Sequence, residues 1–360
     1  MHNWIGEKTL HILGGKNNFD IIRYYLSFAV FFAHFGILTN TNCFWPTSSV
    51  DAVHGFFVLS GFLVFLSYIR NPHVGHYTNR RIRRILPPYF FIITCCFFLG
   101  GIISSLSFGE YITSTQTWKY LIANYTFLNF LEPALPGVFS NNVVPVINGS
   151  LWTLKVEVLL YASVPIVYFL MKKYGRLSVF LFIFIFSIIY NEFFLFMYSN
   201  TQKEIFLILK RQVGGQLVYF YSGTFLLLYF DFFQKHALYF IILAILVLWF
   251  RDDNIVCKYV EPLAFAVVLI GFAYNLQWFT FLRRYDNIAY GIYLFHFPVI
   301  QFVVWLGIDK INIHLALISS ILSTILISLI SWFLLEKPVL QKHLPFYKKV
   351  QKRLCWRSNN

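Results

Sequence analysis

Ten apolar stretches recur along the chain, near residues 20–38, 52–69, 86–107, 151–171, 177–198, 212–230, 236–250, 259–276, 287–306 and 313–335. A helix needs about 20 mostly apolar residues to cross the hydrocarbon core of a bilayer. Inside lipid it must also satisfy its own backbone polar groups. The pattern predicts an all-α integral membrane protein of about ten transmembrane helices. The seventh stretch is short, and the sixth opens on the soft run "RQVGGQ". Composition agrees with this reading: 12% of the residues are charged, where soluble domains carry about a quarter.

The net charge of +14 would point to nucleic acid in a soluble chain. Here its distribution has another cause. With the N-terminus inside, 21 of the 29 Lys and Arg fall on cytoplasmic segments. The others are Lys119, Lys155, Lys203, Lys210, Arg211, Arg251, Lys258 and Lys310. This bias predicts cytoplasmic N- and C-termini and no nucleic-acid partner. Residues 1–18 lack the apolar core and cleavage site of a secretory signal and read as a cytoplasmic lead-in. Residues 1–345 read as the transmembrane domain, and 346–360 as a basic cytoplasmic tail. The five cysteines show no CxxC or Cys/His spacing, so no metal is expected. No internal repeat is visible, which argues against an inverted-repeat transporter.

Polar residues inside apolar spans are costly, and by default they mark function. In "FDIIRYYLSFAVFFAHFG" (19–36), Arg23 and His34 lie eleven residues apart. That is about 1100° of helix, close to three full turns, so they share a face roughly 16 Å apart along the axis. Arg23 falls at the cytoplasmic mouth and His34 toward the outer leaflet. Either residue also has a plain structural reading. A helix-end arginine can snorkel to headgroups, and a buried histidine can bond a neighbouring helix.

Further polar residues gather at the outer depth. Asp51 and His54 lie three apart on one face of the second span. In "NGSLWTLKVEVLLY" (148–161), Asn148 or Ser150 suits a helix N-cap, and Asn148-Gly-Ser also reads as a glycosylation sequon. Glu157 lies about two turns inside the fourth span with Tyr161 four residues on, so its carboxylate must be paired or protonated. A histidine beside a carboxylate is the minimal general-base unit. With no GxSxG elbow in the sequence, chemistry here would run through histidine-assisted attack by a substrate hydroxyl. The ninth span, "NIAYGIYLFHFPVI", adds Tyr290, Tyr293 and His296 ahead of Pro298.

Two other regions belong to the same reading. Arg80, Arg81, Arg83 and Arg84 precede the third span on the cytoplasmic side. They suit either a phosphorylated donor, which arginine forks grip bidentately, or anionic membrane lipid. Residues 108–149 form a long extracytoplasmic loop rich in Tyr, Phe, Trp and Asn. Trp118 and its neighbours there suit either sugar rings or anchoring at the membrane interface.

Together these motifs resemble the acyltransferase-three family of integral-membrane O-acyltransferases. The resemblance rests on Arg23-x10-His34, "FFVLSGFL" (56–63), "RRIRRILP" (80–87), "NGSLWTLKVE" (148–157), "YGIYLFHFP" (290–298) and "LEKP" (335–338), in that order. It implies transfer of an acyl group, commonly acetyl, from cytosolic acetyl-CoA or another acyl-CoA to a hydroxyl of an extracytoplasmic glycan. The run 136–154 looks most like stand-alone members that modify bacterial surface polysaccharides in the cytoplasmic membrane. Under this resemblance His34 is catalytic, oriented by Glu157 or Asp51. Arg23, Arg80, Arg81 and Arg84 hold the donor, and Tyr293 or His296 steadies the donor or an oxyanion. His54, Trp152 and Trp118 serve the acceptor. Many members carry Asp where this chain has His54. Direct transfer and an acyl-histidine relay need the same residues. The competing class is a transporter of a lipid-linked sugar or organic anion, with the same polar groups acting as proton relays.

Overall fold

The computed structural model describes residues 4–276 and 278–341; the expected tail 346–360 lies outside them. Among the described residues every regular element is helical. Ten helices form on the ten apolar stretches: α1 (Phe19–Thr39), α2 (Ser49–Arg70), α3 (Val74–Ile103), α4 (Trp152–Tyr174), α5 (Arg176–Thr201), α6 (Val213–Leu228), α7 (Ala237–Trp249), α8 (Ile255–Asn275), α9 (Ala289–Trp305) and α10 (Ile313–Ser331). α10 runs on through a π-helical turn, Trp332–Glu336, and a last turn, Lys337–Gln341.

Seven of these, counting α10 with its extension, are long and apolar enough to cross a membrane. The protein is therefore an all-α, multi-pass membrane protein. The other three, α6, α7 and α9, have 16, 13 and 17 residues. At 1.5 Å per residue they rise about 20–26 Å, short of the ~30 Å hydrocarbon thickness.

Contacts among the described residues divide the chain into two compact units. The first holds residues 1–33, 43–77 and 152–287. Its centre is α6, which is buried along nearly its whole length and touches α2, α4, α5 and α8. A helix apolar on all sides belongs in such a position. The soft opening "RQVGGQ" is explained by packing: a Cβ at Gly214 would come within 2.6 Å of the Tyr190 ring. α2 and α6 approach each other closely. A Cβ at Gly61 would overlap the Phe220 carbonyl, and one at Gly223 would overlap that of Val58. Thr224 Oγ1 donates to Gly61 O across the same crossing at 3.0 Å. Small residues that let backbones meet, with a hydroxyl bond added, are how helices associate where lipid is as apolar as leucine.

The second unit holds residues 34–42, 78–151 and, of the described residues, those from 288 to 341. α9 packs on α10 through Gly291, where a Cβ would come within 2.9 Å of Ser328. Ala316, Ser320, Thr324 and Ser328, four apart, form the buried stripe of α10. Leu315, Ile318, Leu322 and Leu326 are exposed, as a lipid-facing surface requires. The 108–149 loop is ordered and packs within this unit. Two short helices, Phe108–Thr113 and Thr115–Tyr125, open it. Tyr111 Oη donates to Phe97 O at 2.8 Å, and Tyr89 Oη to Asn124 O at 2.6 Å.

The α2–α6 crossing generates a direct test. Gly61→Ala should cut the thermal stability of the detergent-solubilised protein, because the clash is with rigid backbone; over-packing costs about 1–3 kcal/mol. Gly109→Ala, with open space around it, should leave the melting temperature unchanged. Fluorescence-detected size exclusion after a heating series reads both.

Candidate active site

The site is built on one backbone defect in α9. Pro298 has no N–H, so the carbonyl four residues earlier, Leu294 O, loses its helical partner. Asn148 Nδ2 donates to that oxygen at 3.0 Å. The side chain expected to cap α4 is thus committed to α9, and its Oδ1 accepts from Ser150 N at 3.0 Å in a tight local turn. Asn148 is 8% exposed. Burial and both bonds remove it as a glycosylation acceptor.

The next two residues continue the fit. A Cβ at Gly149 would come within 2.6 Å of the Phe297 ring, so only glycine admits the strand of chain at this point. Ser150 then brings its hydroxyl to 3.4 Å from His296 Nε2 and accepts at its carbonyl from Tyr293 Oη, also at 3.4 Å. Residues 142–150 run as irregular backbone along α9, and such backbone is tolerated at membrane depth only when protein buries it. Gln301, fully buried, meets that need. Its Nε2 donates to Val144 O and Val146 O at 2.6 Å each, and Asn142 Nδ2 donates to Gln301 Oε1 at 2.7 Å.

His34 and His296 meet within this frame. Their rings lie 10° from parallel, with His34 Nδ1 2.8 Å from His296 Nε2. The tautomers follow from one neighbour. His296 Nδ1 is 3.0 Å from Ile292 O, and a carbonyl only accepts, so His296 carries its proton on Nδ1. His296 Nε2 is then the acceptor, and His34 must donate from Nδ1. Neutral His34 is left with a bare lone pair on Nε2, the state a general base requires. Phe297 packs edge-on to the His34 ring at 5.1 Å.

The expected carboxylates have partners within their own unit. The group at His34 Nδ1 is a second histidine. Glu157 accepts from Tyr161 Oη. Asp51 takes a two-pronged grip from Arg251, Nη1 at 3.1 Å and Nη2 at 2.8 Å, and Arg251 Nη1 also donates to Glu261 at 2.9 Å. Asp51, His54 and Glu261 present ligand atoms within 4.8 Å of one another, a spacing that could hold a metal. The Arg251 guanidinium already bonds both of its carboxylates. His54 stacks on Tyr219 at 3.6 Å between centroids.

The basic residues also differ among themselves. Arg23 pairs with Asp20 at 3.0 Å, and Asp20 accepts from Asn287 at 2.7 Å. Arg84 pairs with Glu336 of the "LEKP" run at 3.2 Å and lies over the rings of Tyr290 and Trp332. Arg80 is exposed and Arg81 half-buried. Trp118 is half-exposed, with Nε1 donating to Ile112 O at 2.8 Å. Trp152, half-buried, is the first residue of α4. Gln301, Asn142 and Arg251 went unread in the sequence. A buried amide inside an apolar helix was the available signal for Gln301.

A family model described as an acyltransferase domain matches residues 16–334. The chain is 26% identical over 374 residues to nodulation protein 10 of Rhizobium leguminosarum bv. viciae, covering 94% of this chain and 96% of that protein. It is 24% identical over 302 residues to the O-acetyl transferase of Shigella phage Sf6, covering 82% and 86%. No solved structure matches the chain.

The bond from Asn148 to Leu294 O should be worth about 1 kcal/mol, but only while Pro298 leaves that oxygen open. Asn148→Ala should lower the melting temperature in the natural background and much less beside Pro298→Ala. Additive losses across this double-mutant cycle would show that the amide does not serve the proline's carbonyl.

Proposed function

The chain belongs to the acyltransferase-three family, and on that footing we propose that it carries an acetyl group from cytosolic acetyl-CoA to a hydroxyl of an extracytoplasmic bacterial surface glycan. Membership makes it a membrane acyltransferase and sets the transporter reading aside. Two facts support the finer reading: the name of the phage relative, an O-acetyl transferase, and the basic start of α3, which suits the phosphates of a CoA donor. The positive-inside bias supports a cytoplasmic position for that start and for both termini, and a bacterial inner membrane is the setting we assign.

The observation that carries the mechanism is the His34–His296 pair. A glycan hydroxyl loses its proton to His34 Nε2 as its oxygen attacks the thioester carbonyl. His34 becomes an imidazolium, still donating from Nδ1 to the neutral His296 Nε2. The tetrahedral intermediate collapses to the O-acetyl ester and expels the CoA sulfur, which takes the proton back from His34 Nε2. No net proton stays on the protein. His296 positions the base, and Ile292 O positions His296. This is the work of the carboxylate in a Ser-His-Asp triad, done here by a neutral acceptor.

Arg80 and Arg81 offer donors to the phosphates of the CoA, and Arg84 adds those N–H groups that Glu336 does not use. The roughly 16 Å of helix between Arg23 and His34 suits the length over which the pantetheine arm must extend. His54 and Trp152 are the residues we assign to the acceptor, and membrane lipid surrounds the helices.

Purified protein given acetyl-CoA and mixed bacterial surface glycan should release CoA. His34→Ala should lower that release by about 10²–10⁴-fold, the usual size of a general-base contribution, with an unchanged elution profile. His296→Ala should lower kcat by a smaller factor and leave KM for acetyl-CoA near its natural value. With radiolabelled acetyl-CoA and no glycan, no label should stay on the protein. An active His34→Ala enzyme would overturn the mechanism, and labelled His34 would replace it with a covalent relay.

A further inference from the structure

At one end of the first unit, the starts of α2, α6 and α8 and the end of α5 enclose a cavity of about 300 Å³. That is the lower end of the range for small-molecule sites. Its charges do not cancel. Lys258 Nζ pairs with Glu192 at 2.9 Å, and Glu261 is held by Arg251. Lys210 and Arg211 also line the cavity, and among the described residues neither makes an ion pair. Burial, with Lys258 and Arg211 nearby, lowers the Lys210 pKa. Positive charge here is therefore in excess, and an anion would relieve it.

Two uncharged features narrow the anion. Gln216 and His54 line the cavity, and Gln216 Oε1 and His54 Nδ1 are buried polar atoms with no hydrogen-bond partner. Such groups in a native protein call for a partner. The rings of Tyr219 and Tyr259 complete the wall, and aromatic faces suit the C–H surface of a sugar. A bare phosphate or a lipid headgroup would answer the cations alone.

We propose that this cavity binds an anionic monosaccharide unit, a sugar bearing a carboxylate or a phosphate. Lys210 and Arg211 hold the charge, and Gln216 and His54 bond the ring hydroxyls. By the charge bias the cavity opens extracytoplasmically, so the proposal rests on the acceptor being a glycan and names its class: an acidic polysaccharide.

The test is calorimetric titration of the purified full chain, without acyl donor, using glucuronic acid, glucose 1-phosphate, glucose, inorganic phosphate and short-chain phosphatidylglycerol. The two anionic sugars should bind at least 10-fold more tightly than the other three. Lys210→Gln and Arg211→Gln, made singly, should each weaken anionic-sugar binding at least 3-fold, and Lys203→Gln should not. Arg211 and Lys203 are exposed, so these two variants should fold. Equal binding of glucose, tighter binding of phosphate or phosphatidylglycerol, no heat with either sugar, or insensitivity to Arg211→Gln would each overturn the proposal. Binding is read without transfer. A failed transferase reading would leave the heats in place, and a failed cavity would leave CoA release with a neutral glycan in place.

Discussion

The second unit depends on one carbonyl. Pro298 frees Leu294 O inside a buried helix, where an unsatisfied group would cost about 1–3 kcal/mol. The structure answers by bringing a loop down to it. Once Asn148 is fixed on that oxygen, Gly149 must pass the Phe297 ring and Ser150 must face His296. The motifs "NGS" and "LFHFP" are two halves of one joint although they lie far apart in the chain. Gln301 binds the same loop two turns further along, so the irregular backbone is held at both ends.

What this joint does for chemistry is set a tautomer. A histidine in an apolar helix has two nitrogens and no reason to favour either. Here Ile292 O fixes His296, and His296 fixes His34. The chain of donors runs one way and ends on a lone pair at His34 Nε2. The first unit meets the same membrane constraint by other means. Glycines at the α2–α6 crossing let backbones touch, and Arg251 gathers two carboxylates.

Much of this was legible in the sequence. The ten apolar stretches each became a helix, and Arg23 and His34 lie on one continuous α1. Asp51 and His54 present ligand atoms within 4.8 Å of one another. Helix length was less legible, because α6 is short for a reason internal to its unit: burial on all sides lets it stay apolar without facing lipid. The contact of His34 with His296 was not legible, because chemistry alone leads one to expect a carboxylate beside a general base. The pairing with His296 joins residues 262 apart, and no local periodicity encodes it. The same holds for Arg84 with Glu336, 252 apart, where two motifs read separately turn out to bind each other.

The most direct test of the account is nitrogen-15 NMR of the protein labelled at histidine, with His34 and His296 assigned by substitution. His34 should be protonated at Nδ1 and bare at Nε2, with a coupling across its hydrogen bond to His296 Nε2 that vanishes in His296→Ala. A His34 protonated at Nε2, or one without that coupling, would contradict it.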